Sequence, residues 1–184
     1  MGLQSIDGKK IVLMRSTKRI FICGFMGAGK STFLRKFSGS DLILMDLDEL
    51  ILINSGQENL GNYITEIGWD RFRELELSQL TEILKTKKSV MVSLGGGALS
   101  EKFWNLLRKD KNNLTIWLRT PFDECLKRIS SSKDRPLVKN GEAYLKKLYQ
   151  ERLKDYEKCD ITLNQNEQES IKNIKDLISL MPPR

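Results

Sequence analysis

Apolar positions in this chain come in short continuous runs separated by stripes at helical spacing. Residues 19–23, Arg-Ile-Phe-Ile-Cys, read as a short buried strand, and similar runs recur at 41–46, 90–94, 114–118 and 161–163. The run at 41–46 suits a parallel strand buried on both faces. Between the runs the period changes. Phe33, Leu34 and Phe37 fall on one side of a helix beginning over 32–37. Residues 48–54 suit a short helix ended by Ser55-Gly56, and 59–67 a second one closed by Gly68. The longest helical signal covers 69–85, where Phe72, Leu75, Leu80, Ile83 and Leu84 mark one face. Further helices are expected at 100–108 with Ser100 as N-cap, at 121–129 opened by Pro121, at 143–156, and at 167–180 as one closing helix. Residues 130–141 break the rhythm. They are polar, include Lys133, Asp134, Arg135, Pro136 and Lys139, and read as a mobile surface loop.

Strands alternating with helices imply βαβ units and a parallel sheet, hence an α/β fold. Ligands in such folds gather at the C-terminal ends of the strands. Three chemically loaded sequences stand at those ends: Gly24 to Ser31, Asp46-Leu47-Asp48 and Gly95-Gly96-Gly97. Their convergence points to one site.

Gly24-Phe25-Met26-Gly27-Ala28-Gly29-Lys30-Ser31 fills every fixed position of G-x-x-x-x-G-K-[ST], the phosphate-binding (Walker A) pattern. A strand before it and a helix after it supply the required context. The glycines let backbone N–H groups face a polyphosphate, and the helix N-terminus adds partial positive charge. Lys30 would reach the β- and γ-phosphates, and the Ser31 hydroxyl would sit on Mg²⁺. The bland alternative is a glycine-rich turn with a chance Lys-Ser, which the flanking elements disfavour.

Composition narrows the classes. At 184 residues the chain suits one domain with a substantial core. The net charge of +7 would suit nucleic acid, yet the lysines are spread with no run of five, so a polyphosphate and an acidic substrate explain it better. Cys23, Cys125 and Cys159 lie far apart without C-x-x-C spacing, which argues for a reducing compartment and against a disulfide or zinc framework. Cys23 reads as core rather than reactive. There is no histidine, so a general base must be a carboxylate, lysine, tyrosine or thiolate. No apolar run approaches the roughly 18 residues of a membrane span, and Ile11 to Met14 is too short for a signal-peptide core. Ile6 stands where a myristoylation start needs Ser or Thr. Residues 1–18 read as a loosely ordered extension, Met14 is an alternative start, and cytoplasm is the default.

Asp46 and Asp48 alternate on an extended backbone and would point the same way if the strand continues through them. One carboxylate could face Mg²⁺ and the other a bound hydroxyl, against the alternative of a solvated helix start with an Asp N-cap. Arg73 and Glu76 are three apart on a helix and can touch, which alone would be an ordinary surface pair. Arg135 and Arg152 are unremarkable singly, although Arg suits bidentate carboxylate or phosphate recognition.

Taken together these residues resemble the shikimate kinase family from the phosphate loop to near the C-terminus. The matching pieces are G-F-M-G-A-G-K-S-T (24–32), D-L-D (46–48), F-R-E-L-E (72–76), S-L-G-G-G-A (93–98), R-P-L (135–137) and E-R-L-K-D-Y (151–156). The loop alone names a superfamily; the other pieces, in this order and spacing, are specific. The resemblance implies a P-loop kinase three-layer sandwich around a central five-stranded parallel sheet of order 2-3-1-4-5, with substrate-binding helices and a mobile lid. It implies transfer of the γ-phosphoryl of ATP to the 3-hydroxyl of shikimate on the way to aromatic amino acids, by a cytoplasmic monomer with no nucleic-acid or membrane partner. In this likeness Gly27, Ala28, Gly29, Lys30, Ser31, Thr32, Arg128 and Arg135 hold the nucleotide, and Ser31 with Asp46 holds Mg²⁺. Asp48 binds the accepting hydroxyl and acts as base. Arg73, Gly95, Gly96, Gly97 and Arg152 grip the acceptor, Glu76 orients Arg73, and Arg135 closes from the lid at about 130–141. Lys30, Asp48 and Arg135 are thus the expected catalytic residues.

The chain departs from the family pattern at 164–168, Asn-Gln-Asn-Glu-Gln, where the family often carries a glycine-containing loop near the adenine. Lys154 replaces a proline often found two residues after the late arginine, and residues 1–18 have no counterpart. Other readings are a gluconate or nucleoside monophosphate kinase of the same fold, or a catalytically silent nucleotide- or metabolite-sensing module. A silent module would be expected to have lost Lys30, Asp48 or Arg135, and all three are present.

Overall fold

The apolar runs become the strands β1 (Arg19–Cys23), β2 (Ile43–Asp46), β3 (Val90–Ser93), β4 (Asn113–Leu118) and β5 (Ile161–Leu163). The computed structural model describes residues 18–130 and 136–180. All but the last residue of the expected extension, and residues 131–135 of the expected lid with Arg135 among them, lie outside the described residues. The strands form one parallel sheet of order β2-β3-β1-β4-β5, as expected. Helices cover both faces. Every residue of β3 and β4 is therefore buried, which is why those segments carry so little polar alternation. The run at 41–46 behaves differently from expectation. Its strand starts only at Ile43, lies at the sheet edge and leaves Ile43 37% exposed, because no strand covers its outer side.

The helices are α1 (Lys30–Arg35), α2 (Leu47–Ser55), α3 (Leu60–Ile67), α4 (Trp69–Lys85), α5 (Glu101–Leu107), α6 (Phe122–Ile129), α7 (Glu142–Tyr156), α8 (Gln165–Ser170) and α9 (Ile174–Ser179). Their boundaries follow local chemistry. Asn59 and Ser100 accept backbone N–H bonds from Asn62 and Phe103, and Gly56 closes α2 in the left-handed conformation. Pro121 sits one position earlier than expected, as the cap before α6 rather than inside it.

The single closing helix expected over 167–180 is two helices. Ile171 is extended and almost fully buried, which draws the chain inward after α8. Beyond it Asn173 Oδ1 accepts the N–H groups of Lys175 and Asp176, while Asp176 Oδ2 accepts those of Lys172 and Asn173. These side-chain bonds replace helical backbone bonds and restart the helix. In the segment expected to be wholly loop, Pro136–Asn140 is a short 3-10 turn. The cysteines are free, as expected, yet two of them meet. Cys23 and Cys159, 136 positions apart, bring their sulfurs within 3.1 Å as thiols. Separation along the chain says nothing of proximity across β1 and the segment leading into β5. Burial, then the Cys159 neighbour, pushes the Cys23 thiol well up, so it stays protonated and core-like.

Candidate active site

Because all strands run the same way, the residues that follow them share one edge of the sheet. In spatial order these are Asp46, Gly95, Gly24, Arg119 and Asn164. The central position belongs to the phosphate loop. Gly27 has φ 82°, and a Cβ there would lie 2.5 Å from the Cys125 carbonyl oxygen of α6. Only glycine satisfies both the backbone twist and that close approach. Lys30 arches back over the loop, donating to the carbonyls of Gly24 at 2.9 Å and Phe25 at 3.1 Å. Thr120 Oγ1 holds the Ala28 carbonyl at 3.1 Å from outside. Arg128 Nη1 donates to the Gly27 carbonyl at 3.2 Å, so this expected nucleotide ligand does reach the loop. Gly29 precedes α1, and Ser31 and Thr32 stand exposed in its first turn.

Ser31 Oγ donates to Asp46 Oδ2 at 3.0 Å. The condition under which Asp46 and Asp48 would point the same way, a strand continuing through both, is not met. The strand ends at Asp46, which caps α2 by accepting the Asp48 N–H on Oδ1 at 3.1 Å. Asp46 is thus both an N-cap and a partner of Ser31, two readings that the sequence sets against each other. Its second oxygen and the Ser31 hydroxyl are hard oxygen donors on the phosphate side. Two such ligands, completed by phosphate oxygens and water, fit what Mg²⁺ accepts.

Asp48, in the first turn of α2, faces a different space. A cavity of about 320 Å³ opens between α2, α3, α4, the glycine loop after β3, and α7. Its polar wall is Asp48, Arg73, Glu76 and Arg152, and its apolar wall includes Met26, Leu60, Ile64, Trp69 and Phe72. Glycine 95–97 lets the polar groups converge. A Cβ on Gly95 would lie 2.5 Å from Glu76 Oε1 and 3.1 Å from Asp48 Oδ1, and one on Gly97 would lie 2.6 Å from both Arg152 Nη2 and Arg73 Nη2. Arg73 also lies over the Trp69 ring at 5.0 Å, and Arg152 over the Phe25 ring at 5.5 Å. Two guanidinium groups on one side and a carboxylate on the other make a receptor for a small acid bearing hydroxyls.

Glu76 is 1% exposed and accepts from Arg73 Nη1. Burial pushes its carboxyl up to about 7, outweighing the Arg73 charge and hydrogen bond; the nearby Asp48 adds to the rise and Arg152 opposes it. Burial likewise pulls the Arg152 guanidinium down from its ordinary value, although it remains charged.

Of the expected residues, Asp48, Arg73, Gly95, Gly96, Gly97 and Arg152 meet in this cavity, while Lys30, Ser31, Asp46 and Arg128 meet at the loop. Arg135 lies outside the described residues; Leu137 lines the cavity. Sequence reasoning placed its site on three of the five strand ends, named 164–168 only as a departure from the family's adenine segment, and missed Arg119. A second cleft there is lined by Arg119, Pro121, Tyr149, Asn164, Gln165 and Asn166. The signal was available, since Arg119 directly follows an apolar strand.

Comparison with known proteins agrees with this geometry. The family model for shikimate kinase matches residues 26–181. A shikimate kinase of Sulfurihydrogenibium sp. is 29% identical over 168 residues, spanning 91% of this chain and 99% of its own length. One of Aquifex aeolicus is 34% identical over 145 residues, or 78% of this chain and 84% of that protein. The solved structure of the shikimate kinase from Acinetobacter baumannii in complex with shikimate is similar with a TM-score of 0.77 at 25% identity, covering 90% of this chain and 95% of that one.

Proposed function

The chain belongs to the shikimate kinase family, and from that premise we propose that the edge of its sheet carries the whole reaction in two adjoining halves. The reaction is ATP-dependent phosphorylation of shikimate, with Mg²⁺, in aromatic amino acid biosynthesis. The observation that carries the assignment is the meeting of Asp48, Arg73 and Arg152 on a glycine loop one strand away from the phosphate loop.

In this reading Arg73 and Arg152 bind the shikimate carboxylate, and the Gly95 to Gly97 backbone and Asp48 hold its hydroxyls. Asp48 accepts the proton of the 3-hydroxyl as that oxygen attacks the γ-phosphorus. The bond to the β-phosphate oxygen breaks and ADP leaves. Lys30 and the loop N–H groups offset charge growing on the phosphoryl oxygens. Ser31 and Asp46 would hold Mg²⁺, which would supply charge neutralisation on the phosphate side. Arg128 steadies the loop beside the nucleotide. Arg135, on a lid spanning about 130–141, closes over the phosphates and excludes water. Residues 19–184 act as one domain, as a cytoplasmic monomer.

The test is a coupled ADP-release assay over shikimate, quinate, gluconate and nucleoside monophosphates. Release with shikimate alone is the expected result. Release only with gluconate or a nucleotide, or with none of them, would overturn the acceptor assignment.

A pH dependence follows from Glu76. Below about 7 it is neutral, so Arg73, Arg152 and Asp48 leave the cleft with net charge near +1; above about 7 its ionisation cancels that charge. The shikimate KM should therefore rise between pH 6 and 8, by roughly 10-fold for the loss of one local charge. Glu76→Gln, neutral throughout, should flatten the profile at the low-pH value. A wild-type KM that is flat across this range would refute the effect.

A further inference from the structure

Arg152 and Tyr156 stand one helical turn apart at the end of α7, on the same face. Tyr156 is 2% exposed, and its ring stacks on Trp117 of β4 with centroids 5.8 Å apart and planes 29° apart. A core aromatic needs nothing more to explain it. Its hydroxyl, however, donates to the carbonyl of Gly96, the glycine against which the Arg152 guanidinium lies. A phenol has one proton to give. Giving it to Gly96 fixes a backbone carbonyl of the glycine loop directly beside the arginine.

The consequences meet in the acceptor cavity. Arg152 Nη1 is buried with no hydrogen-bond partner among the described residues, and a Cβ on Gly96 would lie 3.3 Å from it. A guanidinium so desolvated costs free energy unless an anion or other acceptor completes it. Without the Tyr156 bond Gly96 could turn its carbonyl elsewhere, and the glycine surface on which the guanidinium rests would shift with it.

We propose that Tyr156 is a positioning residue for the acceptor site, fixing the Gly95 to Gly97 loop and the Arg152 guanidinium in the one relative arrangement that receives a carboxylate. The proposal rests on the reading that Arg152 and this loop bind shikimate. Burial raises the Tyr156 phenol far above its ordinary range, so the donated proton stays in place throughout the working pH. The residue touches neither substrate nor nucleotide and acts through the glycine loop it holds.

Tyr156→Phe keeps the ring on Trp117 and removes the bond to Gly96. The expected result is a shikimate KM raised by about 10-fold with kcat and the ATP KM within about 3-fold of wild type. Calorimetric titration of shikimate into the enzyme should weaken by the same factor. A lowered melting temperature with an unchanged shikimate KM, a change confined to kcat or the ATP KM, or loss of folded protein would each make Tyr156 a core residue and overturn the proposal. Wild-type enzyme run in parallel separates the two layers: absence of its own shikimate-dependent ADP release overturns the functional reading itself.

Discussion

Asp48→Asn is expected to cut kcat by at least about 10²-fold while leaving ATP affinity within about 3-fold of wild type. The substitution is nearly isosteric and lies in the first turn of α2, where its N–H still donates to Asp46, so the cap survives. The amide keeps the shape of the acceptor site but cannot take a proton. With no histidine in the chain, and with Glu76 turned into a buried contact with Arg73, nothing else lining the cavity among the described residues is placed to replace the lost base. Steady-state kinetics with a nucleotide titration in parallel separate the two effects. Turnover unchanged in the variant would sink the assignment of Asp48 as base.

Lys30→Met is expected to lower kcat by about 10² to 10³-fold and to weaken ATP as well, the scale of losing one preorganised donor to a developing oxyanion. Methionine nearly preserves the length of the stem and removes the charge. In this structure the ammonium bridges the carbonyls of Gly24 and Phe25, so the same group that would meet the phosphates also closes the loop. Lys30→Arg should not restore activity, because a planar guanidinium cannot occupy the compact point that an ammonium fills. Full turnover in the arginine variant would show that charge alone matters at this position, whatever the shape of the group that carries it.

What could be read in advance divides by range of interaction. The phosphate loop was legible because its geometry is written in consecutive residues, Gly27, Gly29 and Lys30. The strands were legible because complete burial of β3 and β4 imposes an apolar run. Asp46 was harder. Extended and capping conformations both suit an aspartate there, and the start of α2 at Leu47 decides between them. The closing helix divides because Ile171 finds the core and Asn173 finds two backbone donors, a competition that periodicity does not register. The Cys23 to Cys159 approach and the Tyr156 bond to Gly96 join residues 136 and 60 positions apart, and no local pattern encodes either. The sheet order came through family resemblance, since alternation alone allows several.

Two positions that the phosphate signature leaves open, Phe25 and Met26, reach away from the nucleotide. Phe25 packs edge-on against Tyr149 and also contacts Phe122 while lying beneath Arg152, and Met26 forms part of the acceptor wall. On the proposed reading, the glycines and lysine of the motif serve the triphosphate while these unspecified positions shape the other half of the site. One short segment then belongs to two pockets, interleaved residue by residue, so a change of side chain at Met26 would reshape the acceptor cavity while leaving the backbone cradle of the loop in place.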